Sequence, residues 1–233
     1  MNLVFVVPCY NISKNFGKLV SSITSQNDDR WTCIMIDDIS EDDTWEKISN
    51  LCIHNEKFHG VKNKNKKFAL RNIIETVRLF QDRDVVIAVV DGDDQLCNND
   101  TVSLVLNEYD GGNDVVWTAH TWDINGMNIS REIPPDVDPY AWPWCSSHLR
   151  TFKASFIKKI PDKNFKDMSG NWFRRGYDQA LMLPILSLTD KRKYIDDVCY
   201  LYNINSVSIK TRNWEESEQI STINIVRARG FLE

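Results

Sequence analysis

Residues 85–94 of this 233-residue chain read VVIAVVDGDD. Six consecutive apolar residues, most of them β-branched, predict a strand that is buried on both faces, as in a parallel sheet. The acidic residues Asp91, Asp93 and Asp94 come directly after that strand. Because ligands of open parallel sheets bind outside the carboxyl ends of the strands, the stretch predicts both a core strand and a binding site.

The rest of the first half alternates short apolar runs with segments of helical spacing. Further strands are predicted at residues 3–7, 31–36 and 114–117, and Pro8 is expected to end the first of them. Helices are predicted at 16–25, after Ser40 as an N-cap, at 70–80 and at 101–106. This alternation predicts an α/β fold with a mainly parallel central sheet that is flanked by helices.

The chain changes character in its second half. Asn125-Gly126 predicts a turn between two antiparallel strands, which would make the sheet mixed. Beyond it, the pattern predicts a helix from about Gly176, a strand at 197–203 and a last helix at 217–229. With no repeat and no linker between them, we expect two halves of one domain, residues 1–118 and 119–233.

Composition and charge narrow the class of protein. A net charge of -5 disfavours a nucleic-acid partner. The six cysteines are scattered and form no CxxC pair, so we expect reduced thiols rather than a disulfide framework or a zinc site. The sequence shows no signal peptide and no apolar stretch near the ~18 residues of a membrane helix. We therefore expect a cytoplasmic protein without a transmembrane segment.

Acidic residues end two neighbouring strands of the predicted sheet. Asp37-Asp38 follows one strand and Asp91–Asp94 follows another, so their carboxylates should meet at one edge. Such a group repels itself unless a cation lies among its members, and Mg²⁺ or Mn²⁺ prefers oxygen ligands and phosphates. Gly92 is expected where a ligand comes close. The alternative, that Asp-Gly-Asp-Asp is only a turn, stays open at this point.

Six segments follow one another along the chain: Val6–Asn11 (VVPCYN), Ile36–Ser40 (IDDIS), Lys67–Asn72 (KFALRN), Val90–Asp94 (VDGDD), Tyr177–Gln179 (YDQ) and Leu201–Asn205 (LYNIN). In this order they resemble motifs of family 2 glycosyltransferases, which have the GT-A (Rossmann-like) fold. Two departures accompany the resemblance: Tyr177 stands where the family carries an acid, and no histidine follows His148 as a late metal ligand.

The resemblance implies an inverting, metal-assisted transfer of a sugar from a nucleotide-diphosphate sugar, with a UDP-sugar favoured. The acceptor would be a hydroxyl of a glycan, a lipid-linked molecule or a protein. The first half, 1–118, would bind the nucleotide sugar, and 119–233 would bind the acceptor and carry the catalytic base. Mn²⁺ or Mg²⁺ would be the cofactor.

The resemblance also implies roles for single residues. Asp178 would be the general base, Asp93 the metal ligand and Asp91 the ribose contact. Arg71 would add positive charge near the phosphates. The residues around the nucleotide would be Pro8, Tyr10, Asn11 and Asp37.

His148 and Arg150 are further candidates, which we expect at the rim of the cleft as contacts to the acceptor or to phosphate. The alternative is a partly exposed strand histidine beside an ordinary surface arginine.

Two other functions stay open from the sequence. A catalytically inactive protein that binds a nucleotide sugar is favoured by Tyr177 and disfavoured by the retained Asp178. An aspartyl-nucleophile phosphohydrolase also uses a DxD after a strand. There, however, the motif is expected after the first strand, whereas Asp91 follows the third predicted strand.

Overall fold

The computed structural model describes residues 1–204 and 209–233, and for 209–215 it describes the backbone but not the side chains. In this part of the chain, eight strands form one sheet. Along the sheet the order is β3-β2-β1-β4-β7-β6-β8-β5. The strands are β1 Asn2–Cys9, β2 Trp31–Asp37, β3 Phe58–Lys62, β4 Val85–Val89, β5 Gln95–Leu96, β6 Val115–Trp122, β7 Arg150–Lys153 and β8 Arg192–Tyr202.

The direction of the strands shows a mixed, mainly parallel sheet. Strands β3, β2, β1 and β4 are mutually parallel, and β6 is parallel to β8. The short β7 is antiparallel to both β4 and β6, and β5 is antiparallel to β8. Because β7 reverses the direction twice, β4 and β6 point the same way and deliver their carboxyl ends to one edge. The α/β class is confirmed.

Helices cover both faces of this sheet. Alternate residues of β1 enter two separate cores. Val4 and Val6 pack with Ile73 of the helix Phe68–Arg78, whereas Phe5 and Val7 pack with Leu19 of the helix Phe16–Thr24. This period of two is what a strand buried on both faces requires. The helices are α1 Phe16–Thr24, α2 Thr44–His54, α3 Phe68–Arg78, α4 Thr101–Asp110, α5 Tyr177–Leu186 and α6 Ile209–Arg229, with 3-10 turns at Ala154–Lys159 and Asp162–Phe165.

The sequence predicted that Pro8 ends β1, but the strand continues past it. The carbonyl of Val6 accepts a hydrogen bond from Val90 on the β4 side, and Pro8 faces the same side two residues later. Strand β4 has ended at Val89, so no ladder bond is lost at the missing N–H of Pro8. The strand therefore continues to Cys9, opposite Asp37.

Three other local expectations were wrong or incomplete. Helix α2 begins at Thr44, and Ser40 is not its N-cap, because its hydroxyl accepts the backbone N–H of Asn11 at 3.0 Å. Strand β3 was not foreseen. The chain turns at Asn125-Gly126, but the next described strand is β7, far along the chain. Asn205, the last residue of the late motif, lies outside the described residues.

None of the helices in the described part of the chain combines the length and the hydropathy that a membrane span requires. All six cysteines are free thiols, as expected.

Candidate active site

Three strand ends bring the acidic segments together. Cys9 at the end of β1 lies opposite Asp37 at the end of β2, and the backbone N–H of Asp38 donates to the carbonyl of Cys9 at 2.8 Å. On the other side of β1, Val90 donates to Val6, so Asp91 leaves β4 beside the same strand end. The expected convergence of the two acidic segments at one edge is confirmed.

Asp91 is held by donors on both of its carboxylate oxygens. Arg150 donates to one oxygen at 2.8 Å, and the hydroxyl of Tyr177 donates to the other. The backbone N–H of Asp91 donates to the hydroxyl of Tyr200 at 3.0 Å. An ionised carboxylate offers about four acceptor positions, so each oxygen of Asp91 can still accept another hydroxyl.

Asp94, which had no assigned task, ties strand β8 to the site. It is buried, and its oxygens accept the Tyr200 hydroxyl at 2.8 Å and the backbone N–H of Asn203 at 2.7 Å. Burial, followed by the charges of Asp91 and Asp93, raises the pKa of Asp94 well above its usual range. Its role is therefore to fix the end of β8 against the loop after β4.

Asp93 of the acidic loop lines a cavity. Its backbone carbonyl accepts the side-chain amides of Asn15 at 3.2 Å and Asn203 at 3.3 Å. The half-buried residue shares the cavity with Asp123, Asn15, Gln95, Asn203, Lys18 and Leu201. Mg²⁺ and Mn²⁺ prefer oxygen ligands, so the carboxylate and amide oxygens of this lining fit a hard divalent cation, whereas the ammonium of Lys18 would face a phosphate rather than the metal.

A second group of metal-binding atoms is less suitable. Asp91, Asp94 and His148 each offer an atom within 4.8 Å of the others. However, the oxygens of Asp91 and Asp94 already accept hydrogen bonds from protein donors. The sequence predicted repulsion among these carboxylates that a metal ion would relieve. In the structure, Arg150 relieves part of it by pairing with Asp91.

Gly92 makes room for the protein's own backbone. A Cβ atom at this position would lie 2.8 Å from the carbonyl oxygen of Pro8 and 3.2 Å from Ile12. The sequence interpretation, in which Gly92 admits a ligand, is corrected by this packing. The glycine allows the loop after β4 to lie against the end of β1.

Asp38 organises the chain between β3 and α3. Its carboxylate accepts the Asn63 amide at 2.7 Å and the backbone N–H groups of Lys67 and Phe68 at 2.8 and 2.9 Å. Burial acts to raise the pKa of Asp38, but these hydrogen bonds outweigh it and keep the pKa below its usual value. Asn72 of the KFALRN segment joins the network by accepting from Asn63 at 2.7 Å.

Strained backbone surrounds this corner of the site. Asn11, Ile39 and Phe68 adopt left-handed φ angles of 53°, 63° and 62°, although none of them is glycine. Each such residue costs about 1–3 kcal/mol, and such strain clusters at ligand sites. For the β-branched Ile39 the conformation is a genuine outlier. The three residues follow β1, β2 and the loop before α3, around the predicted nucleotide position.

The predicted nucleotide contacts differ in exposure. Asp37 is buried and accepts weakly from the backbone of Ser40, at 3.4 Å from each oxygen. Tyr10 is 46% exposed, and the ammonium of Lys66 lies 2.7 Å from the centroid of its ring. The side-chain oxygen of Asn11 accepts the backbone N–H of Glu41 at 2.8 Å. Half-buried Pro8 lies in β1, two residues before Tyr10.

Arg71 lies on the surface of α3. It donates to Glu75 at 2.7 Å, one turn further along the helix, and Lys67 pairs with the same carboxylate. The structure therefore gives Arg71 a partner on its own helix, and its contact to phosphate stays a prediction.

Asp178 lies in the first turn of α5, where the positive end of the helix favours a carboxylate. Burial raises the pKa of Asp178 above its usual value. The charge of Arg150 acts in the opposite direction, and that of Asp91 adds to the rise. The predicted base and the predicted donor carboxylate are thus brought into one cluster, with Arg150 acting on both.

His148 and Arg150 are not at the rim of the cleft. His148 is buried and stacks on Tyr200 and Tyr202, with ring centroids 4.6 and 5.0 Å apart. Burial, followed by the charge of Arg150, lowers the pKa of His148 well below its usual range. Arg150 is 1% exposed. The expected position at the rim of the cleft is therefore wrong for both residues. Their partners lie far away in the sequence, so the local pattern does not show that they are buried.

Sequence reasoning also missed residues that support the site. Tyr177, Tyr200 and Asn203 hold the acidic loop, yet only Tyr177 was singled out, as a missing acid. The alternation of Tyr200 and Tyr202 along a strand is the signal that could have placed them on one face.

Comparison with known proteins agrees with this geometry. The family model described as Glycosyl transferase family 2 matches residues 4–180. The chain belongs to this family. As a family 2 glycosyltransferase it is an enzyme with the GT-A fold, which excludes the phosphohydrolase alternative. No curated protein matches the chain in sequence.

Solved structures resemble this family 2 glycosyltransferase in fold. S. aureus TarS 1–349 in complex with UDP has a TM-score of 0.70 at 16% identity, over 100% of this chain and 67% of that chain. The same protein in complex with UDP-GlcNAc has a TM-score of 0.68 at 15% identity, over 100% of this chain and 68% of that chain. Mannosyltransferase PcManGT from Pyrobaculum calidifontis, in complex with GDP-Man and Mn²⁺, has a TM-score of 0.67 at 13% identity, over 99% of this chain and 65% of that chain. The chain thus spans about two thirds of their length, and the likeness concerns the fold alone.

Proposed function

We propose that this glycosyltransferase is an inverting, metal-assisted enzyme that moves a sugar from a nucleotide-diphosphate sugar to an acceptor hydroxyl. The observation that carries the proposal is the position of Asp178. It lies half-buried at the start of α5, directly after Tyr177, whose hydroxyl donates to Asp91 from the end of β4. A base and a donor carboxylate held together on one rigid edge are what a direct displacement requires.

The donor would bind along the carboxyl ends of β1, β2 and β4, in the half formed by residues 1–118. Pro8, Tyr10, Asn11 and Asp37 would surround the base, in the corner where strained backbone is concentrated. Asp91 would accept a ribose hydroxyl at one of its remaining acceptor positions. A UDP-sugar is favoured because TarS, which has the higher TM-scores, binds UDP and UDP-GlcNAc. The GDP-Man in the PcManGT structure makes a GDP-sugar the alternative donor to test.

The acceptor would enter from the half formed by residues 119–233 and would be a glycan, a lipid-linked molecule or a protein. Asp178 would take the proton of the acceptor hydroxyl as the oxygen attacks the anomeric carbon. A raised pKa makes the carboxylate a stronger base at neutral pH. Attack from the face opposite the leaving nucleotide inverts the sugar carbon.

The metal role falls to Asp93 and the oxygen-rich cavity that it lines. Mn²⁺ or Mg²⁺ held there would neutralise the charge that develops on the leaving diphosphate. The presence of Mn²⁺ in the PcManGT structure supports this choice of ion. Arg71 would add positive charge near the phosphates at longer range. The free thiols agree with a reducing compartment, the cytoplasm, as the place of reaction.

The test uses donor hydrolysis, because the acceptor is not needed for it. Asp178→Asn keeps the shape of the side chain and removes the base, so release of UDP from a UDP-sugar with Mn²⁺ should fall at least ~100-fold. Binding of UDP should stay within about twofold. Asp197→Asn, at an exposed position on β8, is the matched control and should behave as wild type. Normal turnover by Asp178→Asn would show that another group is the base.

The sequence also left open a protein that binds a nucleotide sugar without catalysis. This alternative rests on Tyr177, which stands where the family resemblance expects an acid. Tyr177 instead donates to Asp91, and membership of an enzyme family speaks against the alternative. Under this alternative the wild-type protein would bind the nucleotide sugar with Mn²⁺ but release no UDP over hours. Measurable release that depends on Asp178 would exclude this candidate.

A further inference from the structure

Arg150 lies at the centre of the site although its side chain is 1% exposed. It begins the short strand β7 and is paired with Val89 of β4 on one side and Trp117 of β6 on the other. From there its guanidinium donates to Asp91 at 2.8 Å. A side chain enclosed in this way acts on a ligand through its neighbours and not by touching it.

We propose that Arg150 is a positioning residue of the donor site, which fixes the Asp91 carboxylate from inside the sheet. The inference rests on the proposed function, because it places Asp91 on the donor side. It differs from the sequence interpretation, in which Arg150 contacts acceptor or phosphate directly.

The charges around Arg150 support this role. A buried guanidinium is costly unless it is paired, and removal of its partner leaves an uncompensated charge. Burial acts to lower the pKa of Arg150, but the negative charge of Asp91 outweighs this effect and keeps the pKa well above its usual range. The buried cation is thus paired with Asp91, the carboxylate that follows β4.

Tyr177 completes the hold on Asp91. Its hydroxyl donates to the carboxylate oxygen that Arg150 does not bind, and the guanidinium carbon of Arg150 lies 5.4 Å from the centroid of its ring. An acid at this position would compete with Asp91 for Arg150, whereas a tyrosine donates to Asp91. Two fixed donors on two oxygens set the plane of the carboxylate and so the direction of its remaining acceptor positions.

The experiment measures the dissociation constants of UDP and of GDP, each with Mn²⁺, by calorimetry on the full chain. Arg150→Met should weaken binding of the preferred nucleotide by about 10- to 100-fold, the usual effect of removing a group that orients a ligand-binding side chain. Arg150→Lys should recover most of that loss because it restores the charge. Lys153→Met is the matched control, since Lys153 lies on the same strand and pairs with Asp114 at 2.6 Å.

A double variant keeps the test decisive if Arg150→Met does not fold. Asp91→Asn together with Arg150→Met removes both charges and leaves neither buried alone. If Arg150 acts through Asp91, the double variant should bind no more weakly than Asp91→Asn. A further tenfold loss in the double variant, or wild-type affinity in folded Arg150→Met, would overturn the inference. Absence of nucleotide binding by the wild-type protein is a separate result, which would overturn the proposed function as well.

Discussion

The substitution Gly92→Ala tests how tightly the acidic loop is packed. The added Cβ would lie 2.8 Å from the carbonyl oxygen of Pro8, and ordinary contact begins at 3.4 Å. The loop after β4 and the end of β1 must therefore separate by about 0.6 Å. Pro8 lies opposite Ile36 of β2, so its carbonyl can move only if this end of β1 moves with it.

The size of the effect follows from this separation. Overpacking of this kind costs ~1–3 kcal/mol, and each kcal/mol lowers Tm by about 2–4 °C in a chain of this size. We expect Tm to fall by ~2–12 °C. Because Asp91 and Asp93 flank the residue, and a misplacement of ~1 Å can cost ~100-fold in function, UDP affinity should fall about tenfold.

The measurements are Tm by calorimetry and the dissociation constant of UDP with Mn²⁺. Gly17→Ala is the matched control, because a Cβ there meets nothing within 4 Å and the residue lies in α1. That control should be neutral or stabilising by ~0.5–1 kcal/mol. If Gly92→Ala keeps the Tm and UDP affinity of the wild type, the packing of the loop against Pro8 is not what requires glycine.

Two further predictions concern Asp178 and Asp38. Burial raises the pKa of Asp178, and the base must be ionised to act. UDP release should therefore fall as the pH drops through a value above the pKa of an ordinary aspartate. A pH–rate profile measures this fall, and the same fall in Asp178→Asn would contradict the assignment. Asp38→Ala leaves the backbone N–H groups of Lys67 and Phe68 without an acceptor, removes one of the two acceptors of the Asn63 amide, and should destabilise the protein by about 3 kcal/mol. Urea denaturation measures this loss, and an unchanged midpoint would show that the network around Asp38 does not stabilise the fold.

The strands of the first half could be predicted because they are buried on both faces. The runs in β1, β2 and β4 are continuous in apolar residues, and a short continuous apolar run is typical of a strand without a solvent-exposed face. Strand β3 was missed because only Phe58 of its five residues is buried, so neither an apolar run nor an alternation marks it. Its pairing with β2 is a tertiary effect that local sequence does not show.

The carboxylates of the site could also be predicted, because the ends of parallel strands share an edge whatever their exact pairing. The partners of those carboxylates could not. Arg150 is 59 positions from Asp91, and they meet because β7 inserts in the antiparallel direction beside β4. Tyr200 is 106 positions from Asp94. Nothing local distinguishes Arg150 from a surface arginine, and the alternation of Tyr200 with Tyr202 indicates a shared face but not the partner, Asp94.

Ligand-dependent stability tests the central claim, that this chain binds a nucleotide-diphosphate sugar with a divalent metal ion, most directly. A thermal-shift panel would compare UDP-sugars and GDP-sugars with and without Mn²⁺, with Asp93→Ala alongside. At 100 times its dissociation constant a ligand adds ~2.7 kcal/mol, so one donor should raise Tm by about 5–11 °C. The rise should require Mn²⁺ and should be absent in Asp93→Ala. If no nucleotide sugar raises Tm in the presence of the metal, the account is contradicted.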